Sequence, residues 1–250
     1  MSGRLDRALV DRGLARSRQQ AAEAVRAGRV SVNGTPAGRP SHPVGPGDRL
    51  EVAGADHYVS RAAHKLADAL ASSRIAVPPR VLDAGASTGG FTQVLLEGGA
   101  EQVYAVDVGH GQLVAGLRAD PRVHVRERLN LRDLTLDHLD GEPVGLVVAD
   151  VSFISLTLLL PSLLAVLRPD GDALLLVKPQ FEVGRAGLDD RGVVRDPRLR
   201  AQAVTGVVAA AAALGWTPGW QAESCLPGES GNVEYFVQLR RPGLAVGDDG

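Results

Sequence analysis

Val81-Leu82-Asp83-Ala84-Gly85-Ala86-Ser87-Thr88-Gly89-Gly90-Phe91-Thr92 decides how the rest of the chain is read. Its apolar start suits a buried strand, its glycine-rich middle a tight turn, and its end the opening of a helix. Glycine fits such a turn because a Cβ would hold a ligand away from the backbone N–H groups at the helix start. The spacing D-x-G-x-x-x-G-G is not the G-x-G-x-x-G of a pyrophosphate cradle. A second carboxylate, Asp107, ends the next apolar run, about twenty residues on, where it can accept both hydroxyls of a ribose. An ordinary strand-to-helix turn would account for either feature alone. In register on successive strands, the two point to a cofactor that carries a nucleoside.

Working outward, the pattern from Pro79 on repeats apolar strand, turn and helix, the rhythm of an α/β sheet buried on both faces. Strands are expected at Arg80–Asp83, Gln102–Asp107, Val123–Arg126, Leu146–Asp150, Ala173–Lys178 and Val233–Leu239, with a further one near Pro218–Glu223. Ahead of them, Ser60 can cap a helix that carries Arg61, His64, Lys65 and Asp68 along one face and Leu66, Ala69 and Leu70 along the other. The segment from Glu182 to Arg198 is long and charge-balanced, and reads as a lid or a surface excursion.

Residues 1–52 differ in charge from the remainder. They hold nine Arg and five acids, a net of +4, against −6 for the rest. A basic segment ahead of an acidic body suggests a module that neutralises phosphates. Leu5, Ala8 and Leu9 recur at helical spacing, with Asp6 read as a surface charge on that helix. Ser17-Arg18-Gln19-Gln20 has the form of a capping box opening a helix through Arg26, closed by Gly28. Arg29 to Val32, the turn pair Asn33-Gly34 and a return strand then read as a hairpin. Residues 53–59 serve as a linker to a second domain over 60–241, and the Gly- and Asp-rich 242–250 as a disordered tail.

Composition excludes several classes. Hydrophobic residues make up 44% and charged residues 22%, as in ordinary globular proteins rather than disordered or membrane ones. One cysteine, Cys225, allows no internal disulfide and reads as structural, and with no leader pattern after Met1 the expected location is cytoplasmic. The longest apolar run, Phe153 to Leu167, is too short and too broken to span a bilayer, and the six His have no metal spacing. Only two of the 27 basic residues, Lys65 and Lys178, are lysine. Codon bias explains the arginines, whereas an amine can give up a proton where a guanidinium cannot.

Asp150 and Lys178 each follow a buried apolar run, so both fall at the carboxyl ends of parallel strands, the edge where open α/β sheets bind ligands. The N-terminal segment, with R-A-G-x-V-x-V-N-G at Arg26 to Gly34, resembles the S4 RNA-binding domain, which implies RNA contacts from Arg4, Arg7, Arg16, Arg18, Arg26 and Arg29. The glycine turn resembles the S-adenosylmethionine (SAM) loop of Rossmann-like methyltransferases. That resemblance implies cofactor contacts from Asp83, Gly85, Ser87, Thr88, Gly89, Gly90, Phe91, Asp107 and Asn130, although surface capping would equally explain Asn130. Lys65, Asp150, Lys178 and Glu234 resemble the catalytic tetrad of FtsJ-type ribose 2′-O-methyltransferases.

S-R-x-x-H-K-L at Ser60 to Leu66, D-x-S-F-I-S-L at Asp150 to Leu156, L-V-K-P-Q-F-E at Leu176 to Glu182 and S-G-N-V-E-Y-F at Ser230 to Phe236 extend the match. Over almost its full length the chain is similar to the TlyA family, departing from it at Ala62-Ala63, where the family usually has glycine. This resemblance implies an α/β, Rossmann-like SAM-dependent methyltransferase sheet with a small α+β S4 domain. The implied substrates are cytidines of 16S and 23S ribosomal RNA on the ribosomal subunits, with no metal. Two alternatives remain at this stage: the haemolysin of the family's older label, which calls for a membrane-active element, and an RNA-binding protein with a non-catalytic Rossmann domain.

Overall fold

The computed structural model describes residues 3–12, 14–15, 18–53 and 57–242. They fall in two units, one ending at His57 and the other starting at Tyr58.

The first unit contains β1 (Gly3–Arg4), α1 (Leu5–Asp11), α2 (Arg18–Arg26), β2 (Val30–Val32), β3 (Thr35–Pro36), β4 (Pro43–Val44) and β5 (Leu50–Val52). β2 lies between β3 and β5, antiparallel to both, and β1 pairs with β4. The β2–β3 turn is Asn33-Gly34, with φ of 52° and 80°, the two positive values of a tight hairpin whose twist matches its strands. Gly28, φ 69°, ends α2 as expected, its N–H donating to Val25 O at 3.0 Å. Ser17, the expected cap, lies outside the described residues. Leu5, Leu9, Val25, Val30, Val32 and Leu50 form the core.

The second unit comprises α3 (Arg61–Ser73), β6 (Arg80–Ala84), α4 (Gly90–Glu97), β7 (Gln102–Asp107), α5 (Ala115–Arg118), β8 (Val123–Glu127), β9 (Val144–Ala149), α6 (Leu160–Ala165), β10 (Leu167–Val177), α7 (Pro179–Glu182), α8 (Pro197–Ala213), β11 (Thr217–Glu223) and β12 (Tyr235–Arg240). The sheet order is β11-β12-β10-β9-β6-β7-β8. β10, β9, β6, β7 and β8 run parallel, and β12 runs against its neighbours. This is an α/β, Rossmann-like sheet. Its order reverses between β6 and β9, and a crevice forms beyond the carboxyl ends of parallel strands at such a point.

The apolar runs are nearly continuous because alternate residues feed two cores. Leu82, Tyr104, Val147 and Leu175 face one side, with α6, α8 and Trp216; Val81, Val103, Leu146 and Leu174 face the other, with α3 and α4. Two strands differ from expectation. β10 begins six residues early, at Leu167, because its polar start is irregular: Leu167 pairs with Val144 and the ladder resumes only at Asp172–Leu146. β12 begins at Tyr235 rather than Val233, because Gly228 N–H donates to Asn232 O and turns the preceding chain. Of the expected tail, only Pro242 is described, and of the linker, Ala53 and 57–59.

Candidate active site

β9 and β10 end side by side, and the next residues are Asp150 and Lys178. The Asp150 N–H donates to Ala84 O at 3.0 Å, tying the end of β9 to that of β6. Lys178 Nζ lies 2.6 Å from Asp150 Oδ1 and donates to Ser152 Oγ at 2.9 Å. On the far side of β10, Tyr235 pairs with Val177, which brings Glu234 to the same edge. Glu234 Oε2 accepts from Lys65 Nζ at 2.6 Å. Both partners are buried, Lys65 8% and Glu234 2% exposed. Lys65 therefore does not belong to the polar face of α3 on which it was expected; it turns inward, as lysine does only when paired. The four residues form two lysine–carboxylate pairs at one edge of the sheet. Glu234 is caged as well: a Cβ at Gly228 would come within 2.5 Å of its Oε1.

The glycine turn stands next to this edge. Gly85 has φ 90°, and a Cβ there would meet the Asp150 carbonyl oxygen at 2.5 Å, so its glycine is required by the neighbouring Asp150 segment and not only by a ligand. Gly90 is filled in the same way by the Ser60 hydroxyl. That hydroxyl packs there and makes no cap bond to α3, although Ser60 occupies the N-cap position. Asp107 accepts from Ser87 N–H (2.8 Å, Oδ2) and Gly109 N–H (2.7 Å, Oδ1), bracing the two loops at the ends of β6 and β7. Each of its oxygens retains a lone pair for a hydroxyl. Gln112 joins the brace by accepting from Ser87 Oγ at 3.1 Å.

Asp83 is completely buried. Its Oδ2 accepts from Thr92 Oγ1 at 2.6 Å, while Oδ1 has no partner among the described residues. Burial pushes its carboxyl up to about 7, and the Asp150 and Asp107 charges add to the rise against the Thr92 hydrogen bond. An unsatisfied buried acceptor, a glycine cradle and a ribose-type carboxylate in one crevice fit a ligand that carries an amine and a nucleoside, as SAM does.

Of the expected cofactor contacts, the Phe91 side chain requires correction, and Asn130 has a capping role. The Phe91 ring is 2% exposed and stacks on Phe236, centroids 6.3 Å apart, so the side chain belongs to the core and only its backbone faces the turn. Asn130 caps the short helical turn Leu131–Asp133, its side chain accepting from Arg132 N–H at 3.1 Å. Thr88 is half-buried, its carbonyl accepting from Val114 N–H at 3.3 Å, and Gly89, φ 100°, faces Leu113 and Leu117.

Sequence reasoning missed several neighbours of the site. Phe153, three residues past Asp150, is 92% exposed with φ 66°, a costly backbone for a bulky residue, and lies 5.3 Å from the Phe181 ring. Glu182, at the end of α7, accepts from Ser155 Oγ (2.5 Å) and Leu156 N–H (2.8 Å). The segment read as a lid or a surface excursion is internally braced. Asp189 accepts from Arg191 and Val193 N–H and pairs with Arg195, while buried Asn232 accepts from Val194 N–H at 2.9 Å and donates to Gly192 O at 3.0 Å. Motif spacing flags the strand-end ions, but such side-chain-to-backbone ties leave no periodic trace.

In the first unit, Asp6 is not the surface charge expected of it. It is 4% exposed, gripped by Arg4 (3.0 and 2.9 Å) and Arg18 (3.2 Å), and these hold its carboxyl down at about 2. Arg4 and Arg18 thus have a structural partner, and Arg7 lies 3.6 Å from Asp11. Arg26 and Arg29 are exposed and have no ion-pair partner among the described residues. Arg16 lies outside them. Among the described residues no group of His, Cys, Asp and Glu is arranged to hold a metal, and no helix is long and apolar enough to cross a membrane.

Comparison with known proteins agrees with this geometry. The family model for FtsJ-like methyltransferases matches residues 58–241, and that for the S4 domain residues 3–50. The chain is 54% identical over 240 residues to the 16S/23S rRNA (cytidine-2′-O)-methyltransferase TlyA of Mycobacterium tuberculosis, covering 95% of this chain and 89% of that protein. It is 38% identical to hemolysin A of Brachyspira hyodysenteriae, covering 94% of this chain and 99% of that one. A solved structure from Streptococcus thermophilus that carries a hemolysin label superimposes with a TM-score of 0.75 at 38% identity, over 96% of this chain and 88% of that one. A SAM-dependent methyltransferase structure from Listeria monocytogenes, TM-score 0.55 at 16% identity, covering 73% of this chain and all of that one, shares the fold of the second unit. The chain belongs to the TlyA family of FtsJ-like methyltransferases, with an S4 domain ahead of its methyltransferase sheet.

Proposed function

We propose that the protein transfers a methyl group from SAM to the 2′-hydroxyl of cytidine in 16S and 23S ribosomal RNA, in the cytoplasm. The observation that carries this is the pair of 2.6-Å lysine–carboxylate contacts, Lys178–Asp150 and Lys65–Glu234, set at one sheet edge beside the glycine turn. SAM supplies a methyl group already activated on a sulfonium. Asp107 and the 85–90 turn hold the nucleoside and amino-acid ends of that cofactor, with Asp83 Oδ1 available to the amine.

A ribose hydroxyl is a weak nucleophile, so the chain's task is to align it and ease loss of its proton. Alignment can contribute on the order of 7–11 kcal/mol at best, and proton transfer to a positioned base about 10²–10⁴-fold. Lys178, acting as the neutral amine, is assigned the proton as the new O–C bond forms and the methyl–sulfur bond breaks, which would leave S-adenosylhomocysteine; Asp150 and Ser152 fix its nitrogen, and the Lys65–Glu234 pair orients the ribose. Phe153 offers an exposed face on which an unstacked base can rest, a contact generally worth about 1–3 kcal/mol. The S4 unit supplies phosphate contacts through Arg26, Arg29 and Arg7, while Arg4 and Arg18 chiefly hold Asp6.

Mapping 2′-O-methyl groups on ribosomal RNA from cells with and without the gene tests the reaction; an unchanged map sinks it. Lys178→Arg tests the base. It keeps the charge but not the amine, so turnover should fall about 10²-fold or more with SAM binding intact. Near-normal turnover would mean that positive charge alone is what the step requires. Either alternative function predicts no change in the methylation map.

A further inference from the structure

Asp150, Ser152 and Phe153 lie on one segment and Lys178 on another, and the reaction proposed above needs the two held in register. The first segment is fixed at its start by the Asp150 N–H to Ala84 O hydrogen bond. Its far end is held through hydrogen bonds by Glu182 of α7, while nearer its middle the Phe153 ring lies 5.3 Å from the Phe181 ring of the same helix. That helix begins directly after Lys178, with Phe181 N–H donating to Lys178 O at 2.9 Å. Glu182 is half-buried, and its two oxygens divide between Ser155 Oγ at 2.5 Å and Leu156 N–H at 2.8 Å. Because Ser155 Oγ donates to Glu182, its lone pairs are free to accept from Thr157 N–H at 3.2 Å, which caps the helical turn Leu156–Leu158. One carboxylate thus ties the base of that turn to the helix that begins directly after Lys178. Between the two anchors stands Phe153 in a left-handed conformation, which a bulky side chain keeps only where its surroundings impose it.

We propose that Glu182 is a positioning residue for methyl transfer: it staples the 150–156 segment to α7, and so sets Asp150 and Ser152 against Lys178 and holds Phe153 in its left-handed conformation. This rests on the reaction proposed above. In this role Glu182 acts through the segment it anchors and not by contact with substrate or cofactor.

Two variants test it in the full-length protein with ribosomal subunits as substrate. Glu182→Ala should lower kcat about 10–100-fold, the scale of a small misplacement at the reacting centre, while the SAM dissociation constant stays within about threefold. Glu182→Gln, whose carbonyl can still accept from Leu156 N–H, should recover most of that loss. Hydrogen exchange supplies a readout that needs no turnover: amides of 151–157 should exchange faster in Glu182→Ala, with the central strands unchanged. Wild-type kcat in Glu182→Ala, a Gln variant as impaired as Ala, or faster exchange throughout the sheet would each overturn the staple. A wild-type chain that methylates no ribosomal RNA, with exchange still rising only at 151–157, would overturn the reaction and the catalytic purpose of Glu182, leaving it a loop anchor.

Discussion

Asp83 shows how one buried carboxyl can carry a pH signature. Its value of about 7 in the folded chain lies above the roughly 3.9 of an unfolded one. The folded state therefore holds the extra proton between about pH 4 and pH 7, and stability falls as pH rises through that window. Above it the loss is complete and constant. Asp83→Asn keeps an acceptor for Thr92 Oγ1 and removes the titration. Urea denaturation at about pH 5 and about pH 8 should show wild type losing up to a few kcal/mol that the variant does not lose. An equal change in both proteins would mean that Asp83 does not titrate there. Asp6 behaves in the opposite sense: held at about 2 by Arg4 and Arg18, it contributes stability that is present above about pH 4 and lost as the pH falls toward 2.

Among the elements, the turn between β6 and α4 and the segment after β9 act as one piece, because Gly85 passes against the Asp150 carbonyl. Gly85→Ala must either shift Asp150 or distort a positive φ, a strain of about 1–3 kcal/mol. It should weaken SAM binding and turnover together; a variant that loses SAM affinity with normal kcat would separate the two segments. This coupling also marks the limit of what the sequence conveys. β7 was legible to the residue, since an apolar run between a polar turn and an acidic end has one reading. The four strand-end and helix ions were grouped through their resemblance to a known tetrad, and the structure sets them in two pairs. The sequence left Glu234 to orient either Lys65 or the ribose; the two residues are 169 positions apart, and the antiparallel return of β12 brings Glu234 to Lys65. β10 was read short because Arg168-Pro169-Asp170-Gly171 has the composition of a turn, and in the structure its ladder is interrupted there. Phe91 reads as part of the turn but lies in the core, since the first turn of α4 already packs on Phe236.

For the molecule as a whole, the division of charge follows the division of labour. Residues 1–52 carry the net positive charge, and Arg26 and Arg29, exposed and without an ion-pair partner among the described residues, lie on them, while the acidic second unit holds the candidate active site. Arg26→Gln with Arg29→Gln should weaken binding to ribosomal subunits and leave kcat and folding unchanged, whereas loss of kcat would place them near the chemistry. The two lysine–carboxylate pairs extend this contrast. Each lysine nitrogen of the candidate site lies 2.6 Å from its own carboxylate and is largely buried, so mobile ions screen these pairs little. The basic unit depends on displacing counterions from phosphate. Ionic strength should therefore act on one half of the molecule only: added salt raises the RNA concentration needed for half-maximal rate, less steeply in the double arginine variant, while the rate at saturation holds steady.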